Sequence, residues 1–109
     1  MNKFLAIALL LISVSINAVA NFNGMLQAAK SGDATARFMV AYSYYLGEYR
    51  DGTKVEKDIN KAYAWASLAN YQGNTEAAKL INSIIPILGD REAANILAGE
   101  YFKQYGVSQ

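Results

Sequence analysis

The sequence lacks two residue types that carry much of protein chemistry, because its 109 residues include no cysteine and no histidine. Without cysteine there is no disulfide to restrict the unfolded chain and no thiolate nucleophile. Without histidine, the Ser-His and Cys-His catalytic pairs and the commonest zinc ligand are absent. We therefore expect a non-enzymatic protein with no catalytic residue, no metal ligand and no cofactor.

Proline and net charge are also scarce. The single proline is Pro86, and ten basic against nine acidic residues leave a net charge of +1. A basic stripe of the kind that contacts phosphate backbones is missing, so nucleic acid is not expected as a partner. The acidic residues around 48–58 do not follow the spacing of a calcium loop, and Arg50 and Lys54 lie among them.

Residues 1–20 have the pattern of a signal peptide. Lys3 precedes an apolar run over 4–16, and Ala18-Val19-Ala20 matches an A-x-A cleavage site. The run is shorter than the roughly 20 residues that a membrane span needs. We expect cleavage after Ala20 and a periplasmic or secreted domain over 21–109 without a lipidated cysteine. An uncleaved N-terminal anchor is the alternative interpretation.

The rest of the chain predicts helices and no strands. Asp or Asn stands at four positions where a helix is expected to begin, and each can accept hydrogen bonds from free backbone N–H groups: Asp33, Asp58, Asn74 and Asp90. Gly32, Gly47 and Gly73 follow expected helix ends, where glycine is common. A short helix over 23–31 precedes these four, the third is interrupted by Pro86, and the last ends near Tyr105. The prediction is an all-α fold.

The chain also resembles itself at a shift of 41 residues. The shift places Gly32 on Gly73, Asp33 on Asn74 and Ala36 on Ala77, together with Ala28 on Ala69 and Val40 on Ile81. Periods of this length are typical of stacked helical pairs.

Residues 32–73 resemble one unit of the Sel-1-like repeat (SLR) family, which is related to the tetratricopeptide repeats. The matching residues are Gly32, Ala36, Val40, Ala41, Tyr44, Gly47, Gly52, Val55, Asp58, Lys61, Ala62, Trp65, Ala69 and Gly73. The resemblance implies a short α/α superhelix of about one and a half repeats, with a degenerate second repeat and a capping helix over 74–106. It also implies a binding scaffold whose first helix in each pair lines a concave surface.

The loop departs from the family pattern. The interval from Tyr44 to Val55 carries extra residues, and Lys54 stands where the family has a glycine. A lysine would be strained in the positive-φ conformation that glycine adopts freely. We therefore expect a rebuilt loop with a turn at Asp51-Gly52.

Aromatic residues on two helices are predicted to be structural. Ala62, Trp65, Ala66 and Ala69 share one helix face, and the indole fills the space that the alanines leave. Tyr101, Phe102 and Tyr105 in the last helix are expected to cover the hydrophobic end of the stack.

The helix that begins after Asp33 has two apolar stripes. Ala36, Val40, Tyr44 and Gly47 form one, and Phe38, Tyr42, Tyr45 and Tyr49 form another on the opposite side. The second stripe packs on the first or the last helix of the same chain, or it faces a groove or a second copy. For the groove interpretation, the candidate binding residues are Tyr42, Tyr45, Glu48 and Tyr49, since tyrosine combines apolar area with a hydroxyl at low entropic cost.

These observations predict a protein- or peptide-binding scaffold in the cell envelope, with an unidentified envelope protein or peptide as partner. A stack this short also leaves a homodimer open, since repeat arrays need about three units to bury a continuous core. One alternative is a structural envelope component that associates with peptidoglycan. A hydrolase is less favoured. Some cysteine-rich relatives in the family are linked to β-lactam hydrolysis, and this chain lacks both their cysteines and a Ser-x-x-Lys pair.

Overall fold

The computed structural model describes residues 21–106, and the predicted signal peptide lies outside them. The described part contains five α-helices and one short 3₁₀ turn, Ile85–Ile87, with no strand among its elements. The helices are α1 (Phe22–Lys30), α2 (Ala34–Leu46), α3 (Ile59–Tyr71), α4 (Thr75–Ile84) and α5 (Arg91–Tyr105). The predicted all-α fold is confirmed.

Each predicted cap begins its helix. The side chain accepts a hydrogen bond from the backbone N–H three residues further on, at 2.7–3.0 Å, in all four cases: Asp33, Asp58, Asn74 and Asp90. Asn21 caps α1 in the same way, with Gly24 as donor at 2.8 Å. This fifth cap was not predicted, because the first helix was expected to begin at residue 23, one residue after its observed start at Phe22.

Helix α3 is the centre of the packing. It contacts α2 on one side, α5 on another and α4 on a third, and α1 packs on α2. The predicted seam on α3 is buried, with Ala62, Ala66 and Ala69 fully inaccessible and Trp65 only 1% exposed. The rings of Tyr101 and Tyr105 lie 5.0 Å from that of Trp65, so α5 covers the seam as expected.

The corner at residues 28–36 recurs at 69–77 in its hydrogen bonds. The N–H of Asp33 donates to Ala28 O at 3.1 Å, and the N–H of Asn74 donates to Ala69 O at 3.0 Å. These two bonds are related by the same 41-residue shift that relates the sequences. The helices that follow the two corners pack differently. After the first corner α2 packs on α3, whereas after the second α4 and α5 make few contacts with each other and both pack on α3.

The loop between α2 and α3 is a small hairpin. Glu48 and Lys54 form an isolated antiparallel bridge, and the N–H of Tyr49 donates to Thr53 O at 2.8 Å. The turn places Gly52 at φ +89°, and no residue other than glycine has positive φ among those described. Lys54 therefore lies on a strand-like segment and does not take the conformation of a glycine.

A buried arginine joins the ends of three helices. Arg37 Nε donates to Ala29 O at 2.8 Å, Nη1 donates to Gln72 Oε1 at 3.0 Å, and Nη2 lies 3.5 Å from Tyr105 O. Gln72 in turn donates from Nε2 to Gly32 O at 2.8 Å. The side chain thus bonds polar groups at the C-terminal ends of α1, α3 and α5, where negative partial charge collects.

Candidate binding face of helix α2

The exposed side of α2 carries three aromatic rings, which we call the tyrosine face: Phe38, Tyr42 and Tyr45. The centroids of Phe38 and Tyr42 are 5.8 Å apart with planes inclined by 21°, and those of Tyr42 and Tyr45 are 6.2 Å apart with planes inclined by 22°. Tyr42 is 45% exposed, whereas Phe38 and Tyr45 are half-buried. The three rings therefore form an offset stack with its most exposed member in the middle.

The tyrosine face borders a groove between α2 and α4, which has a volume of about 320 Å³. Its other wall is the α4 side, made by Glu76, Lys79, Leu80 and Ser83. This wall is a finding that the sequence interpretation missed, since the stripe was expected against the first or last helix if it packed within the chain. The i, i+3, i+4, i+7 spacing of these four residues is the pattern that could have predicted it.

Charges on the α4 wall pair with each other. Lys79 Nζ lies 3.4 Å from Glu76 Oε2, and the two side chains are 75% and 60% exposed. A pair this exposed contributes little to stability, so both groups can be re-paired by a charged partner at small cost. The α2–α4 groove thus combines an aromatic wall with a polar wall of no net charge.

A second depression lies on the opposite side of Tyr42, at the C-terminal end of α2. We call it the Leu46 pocket, and its volume is about 100 Å³. It is lined by Met39, Tyr42, Ser43, Leu46, Glu48, Tyr49 and Arg50. Because Tyr42 lines both depressions, it forms the ridge between them.

Tyr49 occupies a different place from the one predicted. Helix α2 ends at Leu46, and the hairpin turns the Tyr49 side chain inward, where it is only 1% exposed. Its ring packs edge-on against Phe22 of α1, with centroids 5.8 Å apart. Tyr49 is therefore a core residue that closes one side of the Leu46 pocket, and it is not the accessible third tyrosine of the groove interpretation.

Of the four candidate binding residues, two share the exposed surface of α2 as predicted. Tyr42 and Tyr45 stack beside the α2–α4 groove, and Glu48 lies on the exposed rim of the Leu46 pocket. Arg50, which was not a candidate, lies on the same rim with its guanidinium 5.5 Å from the Tyr49 ring centroid. The alternation of outward and inward side chains over 48–50 would have predicted this placement only if the hairpin had been known.

Two other tyrosines, on α2 and α5, lie away from the tyrosine face. Tyr44 and Tyr101 pack against the core, and burial raises the pKa of both. The pKa of Tyr101 rises to about 12, from burial first and from the neighbouring Tyr44, Tyr105 and Asp58 next. Phe38 and Tyr45 are also partly buried against the core, so the exposed ring of the tyrosine face is that of Tyr42.

No cluster of three or more metal-ligating side chains occurs among residues 21–106. In the same part of the chain no helix is long and apolar enough to cross a membrane. The candidate ligand sites described above within residues 21–106 are the α2–α4 groove and the Leu46 pocket. No family model, curated protein or solved structure matches this chain.

Proposed function

We propose that the chain is a non-enzymatic scaffold that binds a protein or peptide segment through the tyrosine face of α2. In this proposal it is an exported envelope protein of the Sel-1-like repeat type. The export part rests on the pattern over residues 1–20, and the repeat part rests on the motif over 32–73 and the repeated corner at Asp33 and Asn74.

The observation that carries the proposal is the position of Tyr42. Tyr42 is 45% exposed, its ring is stacked between those of Phe38 and Tyr45, and it lines two depressions, so a rigid ring stands where a ligand can contact it. Rigid tyrosines with accessible hydroxyls are typical anchors of protein interfaces. The stack also favours a peptide over a sugar, because the rings cover each other's faces and leave mainly edges and hydroxyl groups for a ligand.

Selection from a displayed random peptide library tests this proposal directly. The mature chain over 21–109 is immobilised, and enriched peptides are measured by fluorescence polarisation against wild type and Tyr42→Ala. Loss of an interface anchor costs 2 kcal/mol or more, so we expect affinity to fall by about 30-fold or more. The matched control is Tyr71→Ala, since Tyr71 is 69% exposed on α3 and lines neither depression.

Each other outcome counts against the proposal. Failure to enrich any peptide, or equal loss with Tyr42→Ala and Tyr71→Ala, would overturn it. Co-sedimentation with purified peptidoglycan that persists in Tyr42→Ala would favour the structural envelope role. A dimer in light scattering that becomes a monomer in Tyr42→Ala would assign the face to self-association.

A further inference from the structure

We propose that the Leu46 pocket selects a short sequence in the bound segment. That sequence has one small aliphatic side chain, with a basic residue on one side of it and an acidic residue on the other. This inference rests on the proposed function, because it names the class of peptide that the α2 face takes. It concerns the side of Tyr42 away from the α2–α4 groove, so this inference and the proposed function can be tested separately.

The size and lining of the pocket favour an aliphatic group. Its volume of about 100 Å³ is smaller than the roughly 150 Å³ cavity that holds a benzene ring. Met39, Leu46 and Tyr49 supply apolar walls. In the helix wall, Ser43 Oγ donates to Met39 O at 2.8 Å and is satisfied without a ligand. A valine, isoleucine or leucine side chain therefore fits this space better than an aromatic or polar one.

Two opposite charges mark the rim of the pocket. Glu48 and Arg50 are two residues apart on a strand-like segment, with Tyr49 directed inward between them. Alternate residues of an extended segment point to the same side, so both charged side chains are presented outward. A bound peptide that places its aliphatic side chain in the pocket then has its flanking residues near one carboxylate and one guanidinium.

Both rim charges are available to a partner. Among the described residues the ion pair within 4.0 Å is Glu76–Lys79, so neither Glu48 nor Arg50 is held in one. Lys54 lies across the bridge from Glu48 without pairing with it. Asp51, beside Arg50, accepts a hydrogen bond from the N–H of Thr53 at 2.9 Å and stabilises the turn. The rim thus carries two solvated charges of opposite sign, with Lys54 and Asp51 as their charged neighbours.

The order of the two charges gives the inference its sharpest consequence. Because the rim is asymmetric, wild type is expected to prefer one order of the flanking basic and acidic residues. Exchanging the charges in the double variant Glu48→Arg, Arg50→Glu keeps the net charge and reverses their order. The preferred order should therefore reverse as well, by about two- to fivefold in affinity for each exposed pair.

The test uses two displayed libraries with a fixed aliphatic residue and randomised flanks, selected in parallel on wild type and on the double variant. Affinities are then measured for a Lys-Leu-Glu peptide, its Glu-Leu-Lys counterpart and Lys-Ala-Glu. Leu46→Ala removes part of the pocket wall, and Ile96→Ala is the matched control. Ile96 is a similarly exposed aliphatic residue on α5, at 56% against 50%, and lies outside the pocket. Thermal melts establish that each variant is folded.

Support requires opposite charge orders on wild type and the double variant, with weaker binding for Leu46→Ala than for Ile96→Ala. Two results overturn the inference alone: peptides whose binding depends on Tyr42 and is unchanged by the charge exchange, or equal affinity of wild type for Lys-Leu-Glu and Lys-Ala-Glu. Absence of any peptide that depends on Tyr42 overturns the proposed function as well.

Discussion

Aromatic side chains on α2 and α3 differ in how far the rest of the chain covers them. On the α3 seam, Trp65 is 1% exposed among fully buried alanines and is covered by two tyrosines of α5. On the α2 side, Tyr42 is 45% exposed and its neighbours in space are the rings of its own helix.

The difference lies in what stands opposite each stripe. Alanines on α3 allow helices to approach closely, so a single indole fills the space and water is excluded. The tyrosine face instead meets α4 across an open groove whose wall includes the charged residues Glu76 and Lys79. Aromatic content therefore does not distinguish core from surface in this protein, whereas the partner of each stripe does.

Truncation of the seam should have the largest effect. Trp65→Ala removes a buried indole and leaves a cavity that the surrounding alanines cannot fill, so unfolding should become easier by about 3–5 kcal/mol. Urea denaturation followed by circular dichroism measures this loss. A loss below about 1 kcal/mol would mean that the seam is not the core of the domain.

Loss of the buried arginine should rank second. Arg37→Met keeps much of the packing but removes the buried bond to Ala29 O, which retains the Gly32 N–H, and the contacts to Gln72 Oε1 and Tyr105 O. Hydrogen bonds that involve a charged group contribute about 1.5–3 kcal/mol. Denaturant titration should give a loss of about 2–3 kcal/mol. Arg37→Lys retains the charge without the planar fork and should fall between the two. Equal stability of all three proteins would contradict a bonding role for the guanidinium.

Two glycine substitutions, at the end of α2 and inside α5, are expected to change the stability of the fold in opposite directions. Gly47 ends the helix at φ +82°, so Gly47→Ala should destabilise by about 1–2 kcal/mol. Gly99 lies inside α5 without positive φ, and a methyl group there would meet no atom within 4 Å. Gly99→Ala should therefore stabilise by about 0.5–1 kcal/mol. Melting temperatures shifting in the same direction would refute the proposed helix end.

Alkaline pH should weaken the packing of Tyr101 on the seam. Burial raises the pKa of Tyr101 from 10.0 to about 12, so the folded state keeps a proton that the unfolded state loses. Stability is therefore fully present below pH 10 and declines as pH rises through about 12. In Tyr101→Phe the decline of melting temperature over this window should be shallower, with a remainder from Tyr44, whose pKa is also raised. An unchanged slope would exclude Tyr101 as its source.

Truncation on the tyrosine face should have the smallest effect on folding. Tyr42→Ala removes a half-exposed ring, and we expect a change in stability within about 0.5 kcal/mol. Together with a large loss of peptide binding, this result would separate the binding face from the core. A loss comparable to that of Trp65→Ala in the same denaturation assay would instead make Tyr42 a packing residue.

Local chemistry made the helices predictable. The side chains of Asp33, Asp58, Asn74 and Asp90 can satisfy the free N–H groups of a helix start, and each is found at one. The α3 seam could also be predicted, since alanines around one tryptophan at helical spacing are typical of a buried helix face. Tyr49 was misplaced because the helical period was extended past Gly47 into a segment that forms a hairpin.

Two features of the candidate site depend on contacts between residues far apart in sequence. The α4 wall of the groove and the inward turn of Tyr49 against Phe22 follow from how α1, α2 and α4 pack together. The local sequence around Arg37 carries no signal that its side chain is buried. Its burial results from the meeting of three helix ends, which no local pattern records.

The sequence by itself determined the all-α fold, the helix starts, the buried seam and the aromatic content of α2, because capping and helical periodicity act within a few residues. Only the tertiary structure decided which aromatic stripe is covered, that Glu48 and Arg50 flank one pocket, and that α5 packs on α3 with little contact to α4. These features depend on which surfaces meet, and that is set by the packing of the whole chain.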